Sequence, residues 1–344
     1  MNLEQNNKKV NEIYSKWLKL SLLCWLLSII VSAIIFCLQI LPCDFAAKIA
    51  NLNNIYITFY ITLPLLALCI ARLTNNFYGE ISAFIADKLG LLALFATLLI
   101  AGAVLTSSSE SSFSIHVPII HNILFILGFT IFFTIILILS GVYLWNCRYN
   151  NLLNNLAEFS GFVIAIILLV SILCFYKSFL AVKLLLQEYP LDLCHYYELI
   201  FWGGSLVLQF AFTALMLYAW IIILQRHLSL GSMQDLYIFI LMFHLILVIP
   251  SPIIYAYCNI DDGSYHDFFN KQASYFLQIT PIIMTIIMWI HMLWQRQKLK
   301  FDDMILAVLA SQFLCCLTLL LNFKIGTPMA ISGQYQPQIG AMTA

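Results

Sequence analysis

Of the side chains able to do chemistry, the seven histidines are the most informative, because two of them, His244 and His291, fall inside long apolar runs. An imidazole in such surroundings has two uses. It can ligate a metal or relay a proton, or it can be a structural group satisfied by a neighbouring hydroxyl or carbonyl. A second candidate begins at His195, where the chain reads HYYELIFWGGSLVLQF over 195–210. On a helix, Glu198 lies about one turn inside this run and Gln209 lies deeper. Between them Gly203, Gly204 and Ser205 form a small-residue surface that permits close backbone approach. Two functions fit the pattern. One is a tight helix–helix contact with Gln209 hydrogen-bonded across it, and the other is a cofactor or proton pathway lined by Glu198 and Gln209. The remaining histidines read as interfacial or solvated: His116 and His121 flank Pro118, His227 lies beside Arg226, and His266 follows Asp261 and Asp262. Most cysteines sit in apolar runs, where Cys behaves as a small hydrophobe. Cys43, Cys194 and Cys258 lie near run ends on one expected membrane face, where a disulfide between two of them is an option. There is no C-x-x-C, Walker loop, G-x-G-x-x-G, nucleophile elbow or H-E-x-x-H, so no metal site is expected.

The elements that must position these residues follow from composition. The chain has 344 residues, of which 62% are hydrophobic and 9% charged, with a mean hydropathy of +0.95 and no net charge. Soluble domains carry about 25% charged residues. The deficit excludes a soluble enzyme, a nucleic-acid binder and a disordered chain, and leaves an all-α, multi-pass transmembrane bundle. The partners expected are the lipid bilayer and other membrane subunits, with no nucleic acid. A bilayer core takes roughly 20 apolar residues per helix. Runs of that kind occur at 17–41, 55–73, 89–105, 117–145, 159–179, 199–225, 236–257, 275–294 and 304–323, which predicts nine spans. Residues 1–16 then form a cytoplasmic tail, 17–323 the bundle, and 324–344 a C-terminal segment; no cleavable signal peptide is expected. With the N-terminus inside, the cytoplasmic segments hold Lys8, Lys9, Lys16, Lys19, Arg72, Lys88, Arg148, Arg226, Arg296, Lys298 and Lys300. The outer ones hold only Lys48, Lys177, Lys183, Lys271 and Lys324. The acids divide evenly, so the bias belongs to Lys and Arg and predicts an N-in, C-out orientation.

The run FWGGSLVLQF at 201–210 resembles a stretch of the catalytic subunit I of haem–copper oxidases, in a divergent bacterial branch that carries F-W-G-G-G-H-V-L-Q-F. The flanks Tyr197-Glu198 and Ala219-Trp220 are similar too, as are VPIIHNILFILG at 117–128 and, more loosely, 265–269 with Thr280-Pro281. GQYQPQIGAMT at 333–343 resembles the start of the family's tenth helix. The resemblance implies a cytochrome c oxidase subunit I-like bundle in a bacterial inner membrane. It also marks where the chemistry departs. Leu206 occupies the place of a copper-binding His, and Gln334 and Gln336 occupy an H-x-H pair that would hold two haem irons. A leucine has no lone pair for a metal, and an amide is a far weaker haem ligand than imidazole. No His precedes His116, so the first three predicted spans supply none, and no His-His pair exists. Subunit I of the family typically has twelve helices, whereas this chain ends as the tenth would begin.

Three functions are therefore carried forward. The first is a non-catalytic member of that superfamily, keeping the scaffold without cofactors and serving as an assembly or interaction subunit. The second is an active redox enzyme reducing oxygen or nitric oxide, with haem and copper held by rearranged ligands drawn from His244, His291, His195 and His116. The third is a transporter or channel whose pathway uses Glu198, Gln209 and the helices broken at Pro64, Pro250, Pro252 and Pro281.

Overall fold

The computed structural model describes residues 3–40, 56, 58–74, 80–106, 122–147, 155–188, 190–231, 233–295 and 302–325. Among these residues there is no strand. Helices satisfy every backbone group within one segment, which a chain this apolar requires in lipid. The elements are α1 (Leu3–Ile40), a π-helical turn (Thr58–Thr62) running into α2 (Leu63–Thr74), α3 (Glu80–Thr106), α4 (Ile123–Cys147), α5 (Leu156–Leu185) and α6 (Leu193–Gln225). They continue with α7 (Met233–Ile246), a 3-10 turn (Ile254–Ala256), α8 (Gly263–Lys271), a second π-helical turn (Gln272–Phe276), α9 (Leu277–Trp294) and α10 (Asp303–Ile325). Side-chain caps start several of them. Asn122 accepts the Leu124 N–H at 2.8 Å, Asn155 accepts the Ala157 N–H at 3.0 Å, and Asp302 accepts the Ile305 N–H at 2.9 Å.

The chain is a multi-pass membrane protein. Among the described residues, six stretches are long and apolar enough to cross a bilayer: Asn11–Cys37, Ser82–Ala103, Ile123–Cys147, Leu156–Leu185, His195–Gln225 and Gly263–Trp294. The other three predicted spans coincide with shorter apolar helices, Thr58–Thr74, Met233–Ile246 and Asp303–Thr318. Two of the three are interrupted locally. A π-helical turn precedes α2, and Pro250 and Pro252 end the regular winding of α7. The first helix also starts earlier than the sequence suggests, because α1 is helical from Leu3 and takes in most of the predicted tail. Residues 326–344, and with them Gln334 and Gln336, lie outside the described residues. Cys258 is a free thiol, so it forms no disulfide; Cys43 and the Cys194 side chain lie outside the description.

Small residues set the closest helix contacts. Ala83, Ala86, Ala93, Ala96 and Ala103 of α3 are all fully buried. Facing them, a Cβ on Gly128 of α4 would collide with the Ile100 side chain and lie 2.9 Å from the Ala96 carbonyl, so the glycine lets α4 approach α3 closely. Residues assigned by the sequence to one membrane face also meet one another. Lys16 pairs with Asp87, Asn146 donates to Ser82 at 3.0 Å, and His227 Nε2 lies 3.2 Å from Asp302 Oδ2. At the opposite end His195 Nδ1 lies 3.9 Å from Glu198 Oε2, and Lys271 pairs with Asp267 at 3.8 Å.

Candidate functional site

One set of buried polar groups lies where α7 and its continuation pack against α8 and α9. They form four hydrogen-bonded rungs. Tyr237 Oη lies 2.8 Å from His291 Nδ1, and His244 Nδ1 lies 2.6 Å from Thr280 Oγ1. The Ser251 hydroxyl lies 3.0 Å from Gln272 Oε1, and Tyr255 Oη lies 3.0 Å from Tyr265 Oη. Tyr237 and His244 are seven residues apart on α7, which puts them on one face about 10 Å apart along the axis, and Ser251 follows seven residues later, past the end of the helix. All three, with Gln272, Thr280 and His291, are buried.

The third rung shows how the sequence builds such a contact. Past Ile246 the winding tightens: the Ser251 N–H reaches only to the Val248 carbonyl and not to Leu247. Pro250 and Pro252 bring no N–H of their own. The Leu247 carbonyl therefore turns to a side chain, receiving the Gln272 amide at 2.9 Å, while the same amide nitrogen reaches Ser251 at 2.7 Å. A polar side chain on the second π-helical turn completes what the prolines leave open.

The structure places the four intramembrane candidates in two groups. His244 and His291 belong to the rungs, and both are fully buried. Each uses both ring nitrogens. His244 Nε2 donates to the Phe210 carbonyl at 2.9 Å, so Nδ1 accepts the Thr280 hydroxyl. His291 Nε2 accepts the Gln295 amide at 3.0 Å, so Nδ1 donates to Tyr237. Glu198 and Gln209 are both half-buried on α6, eleven residues and about 16 Å apart along the axis. Glu198 lies at the end of the bundle near His195 and within electrostatic range of His266. Leu206 is 2% exposed and points into the core. His244 reaches α6 at Phe210, one turn along from Leu206.

The small-residue surface works differently from the sequence expectation. Gly203 and Gly204 are pressed by aromatic rings. A Cβ on Gly203 would lie 2.8 Å from Tyr265 Oη and 2.8 Å from Phe269 Cζ, and one on Gly204 would lie 2.6 Å from Phe175 Cε1. The Gly204 carbonyl also receives the Ser171 hydroxyl at 2.7 Å. Tyr255 and Tyr265 share Ser178, at 2.8 and 3.4 Å, so a hydroxyl triangle stands over Gly203 and beneath Trp202 and His266.

One polar cluster was not singled out from sequence. Arg72, at the end of α2, is 5% exposed; its Nη2 donates to Ser160 at 3.2 Å and its guanidinium stacks 4.4 Å above the Tyr218 ring. Glu158 and Cys147 are buried close by, and Tyr143 donates to the Glu158 carbonyl at 2.8 Å. The signal was available: Arg72 ends an apolar run, and an arginine within a span is a functional candidate as well as a topology marker.

The described residues include no group of three or more His, Cys, Asp or Glu side chains that could hold a metal. Leu206 offers no donor, and the ring nitrogens of His244 and His291 are committed within the bundle.

Compared with known proteins, the chain is 30% identical over 215 residues to an uncharacterized protein of Rickettsia prowazekii (strain Madrid E). The aligned part is 61% of this chain and 41% of that protein, so the chain spans well under half the length of its relative. No family model matches the chain, and no solved structure matches it.

Proposed function

We propose that this chain is a non-catalytic member of the haem–copper oxidase subunit I superfamily, serving as an assembly or interaction subunit in a bacterial inner membrane. The observation that carries the reading is the commitment of the intramembrane imidazoles. All four ring nitrogens of His244 and His291 are engaged by Phe210, Thr280, Tyr237 and Gln295. An imidazole held at both nitrogens has no lone pair to give a metal. The resemblance at 201–210 is supported by the burial of Leu206 in the core, one turn from the point where His244 meets α6. The Lys and Arg bias supports an N-terminus in the cytoplasm.

The test is an optical and metal analysis of protein purified in mild detergent. The expected result is no Soret band and no stoichiometric iron or copper. A Soret band, or one metal per chain, would overturn the proposal in favour of an active redox subunit with rearranged ligands. A second reading, a transporter or channel, is favoured by the rungs between α7 and α9, because polar groups gathered at one helix interface can line a pathway. It predicts proton or solute flux in proteoliposomes that is lost on replacing Glu198 with Gln.

A further inference from the structure

Gln209 is a polar side chain that the bundle does not use. It lies next to the middle of the apolar stretch His195–Gln225. Its backbone carbonyl receives the Thr213 hydroxyl at 2.9 Å, but its amide makes no hydrogen bond among the described residues. Gln272 and Gln312, by contrast, are engaged at both ends of the amide. Gln272 accepts from Ser251 and donates to the Leu247 carbonyl, while Gln312 accepts the Trp289 indole N–H at 2.8 Å and reaches the Met288 sulfur at 3.4 Å. Lipid-facing hydroxyls satisfy themselves: Thr130 and Thr134 of α4 are exposed, and each donates at 2.8 Å to the carbonyl one turn back on its own helix. A primary amide is harder to satisfy, because it brings two N–H donors as well as an acceptor. Hydrocarbon offers it neither kind of partner.

The amide stands on a stripe that faces away from the core. Gln209, Phe212, Met216, Ala219 and Ile223 follow one another at intervals of three, four, three and four residues. That spacing lines one side of a helix and forms the seam along which two helices pair. Ala219 is exposed and the other four are half-buried. On the other side of α6, Phe210, Leu217 and Ile221 are fully buried. Copies of one chain inserted in one membrane share an orientation, so a twofold axis relating them runs along the membrane normal. Two α6 helices brought together about that axis are parallel, and each residue meets its own copy at the same depth. Two glutamine amides facing each other are complementary: each N–H donates to the other's oxygen, giving two reciprocal hydrogen bonds. Any other helix would have to bring a donor and an acceptor to that same depth, whereas a second copy does so by symmetry. A single amide in an apolar seam also fixes its register, and Ala219 lets the two backbones come close. We propose that this chain pairs with a second copy of itself along the α6 stripe, with the two Gln209 amides joined across the twofold axis. The pairing rests on the reading of the chain as an interaction subunit and names its partner.

Stepwise photobleaching of labelled full-length protein in liposomes counts the copies directly. Two-step spots should increase with the protein-to-lipid ratio and level off at two copies. Gln209→Leu keeps the side-chain bulk and removes the amide, and should weaken pairing about tenfold, as the loss of two interhelical hydrogen bonds requires. Gln209→Asn keeps an amide and should weaken it less. Ala219→Phe places a ring in the seam and should abolish pairing. Unfolding in mixed micelles, followed for the same variants, should stay close to native, since both positions lie on the lipid-facing side of α6. Single-step spots at every density overturn the proposal, and so does pairing that either Gln209→Leu or Ala219→Phe leaves unchanged. The two readings fail separately: monomers without a Soret band remove the self-pairing alone, and a Soret band removes the non-catalytic reading whatever the copy number.

Discussion

Gly203 is the position where the packing beneath Glu198 can be tested most sharply. Alanine at 203 adds one methyl, which would stand 2.8 Å from Tyr265 Oη and from Phe269 Cζ, and closer still to Tyr255 Oη. Ordinary contact begins at 3.4 Å, so each ring must retreat by about 0.6 Å or more. Tyr265 and Phe269 are fully buried and have no room to do so. Tyr255 is half-buried and can move, but its hydroxyl is held by Ser178 at 2.8 Å and by Tyr265 at 3.0 Å. Overpacking of this kind costs roughly 1–3 kcal/mol. Two interhelical hydrogen bonds in a membrane protein add about 0.6 kcal/mol each. Gly203→Ala should therefore destabilise the protein by about 2–4 kcal/mol. The assay is reversible unfolding in mixed micelles, with the free energy compared between variants. Gly102→Ala is the control, since its methyl would meet no atom within 4 Å, and it should change stability by less than about 0.5 kcal/mol. Adding Tyr255→Phe to Gly203→Ala removes the nearest atom and should recover about 1 kcal/mol. The reasoning is refuted if Gly203→Ala costs no more than Gly102→Ala, or if Tyr255→Phe makes the alanine variant worse.

Three further outcomes follow from the buried polar groups. Gln272→Leu leaves the Leu247 carbonyl and the Ser251 hydroxyl without their partner, and the same unfolding assay should record a loss of about 2 kcal/mol. Tyr218→Leu removes the ring beneath the buried Arg72 guanidinium and should cost about 2 kcal/mol, whereas Tyr218→Phe, which keeps the aromatic face, should cost much less. The third concerns pH: the Ile305 N–H, with help from His227, holds the Asp302 carboxyl below the usual carboxylate range. A group depressed in the folded state contributes stability above its unfolded value and loses it as pH falls through its folded value. Asp302→Asn should therefore flatten the acid limb of the stability profile, as followed by unfolding at a series of pH values.

Much of the bundle was legible because the relevant information is local. The apolar runs depend on neighbours in sequence. The rungs were half legible. Tyr237, His244 and Ser251 repeat every seven residues, the spacing that returns to one helix face after two turns. Their partners Gln272, Thr280 and His291 follow no such interval, because a π-helical turn shifts the winding after Lys271. The sequence also could not say that Gly203 and Gly204 face rings, since a small residue admits a backbone or an aromatic equally well. Arg72 was read only as a cytoplasmic charge, because its partners Ser160 and Tyr218 lie on α5 and α6, far along the chain.

The long interval between rung partners bears on how the chain enters the membrane. α7 has 14 residues, and it emerges from the ribosome bearing Tyr237 and His244 before either has a partner. Thr280 follows His244 by 36 residues, and His291 follows Tyr237 by 54. Alone in lipid, α7 would hold a phenol and an imidazole against hydrocarbon on a helix only about 21 Å long. The polar face is thus a reason for α7 to wait beside the insertion machinery until α9 has been made, so that the two pass into the bilayer together as a helical hairpin.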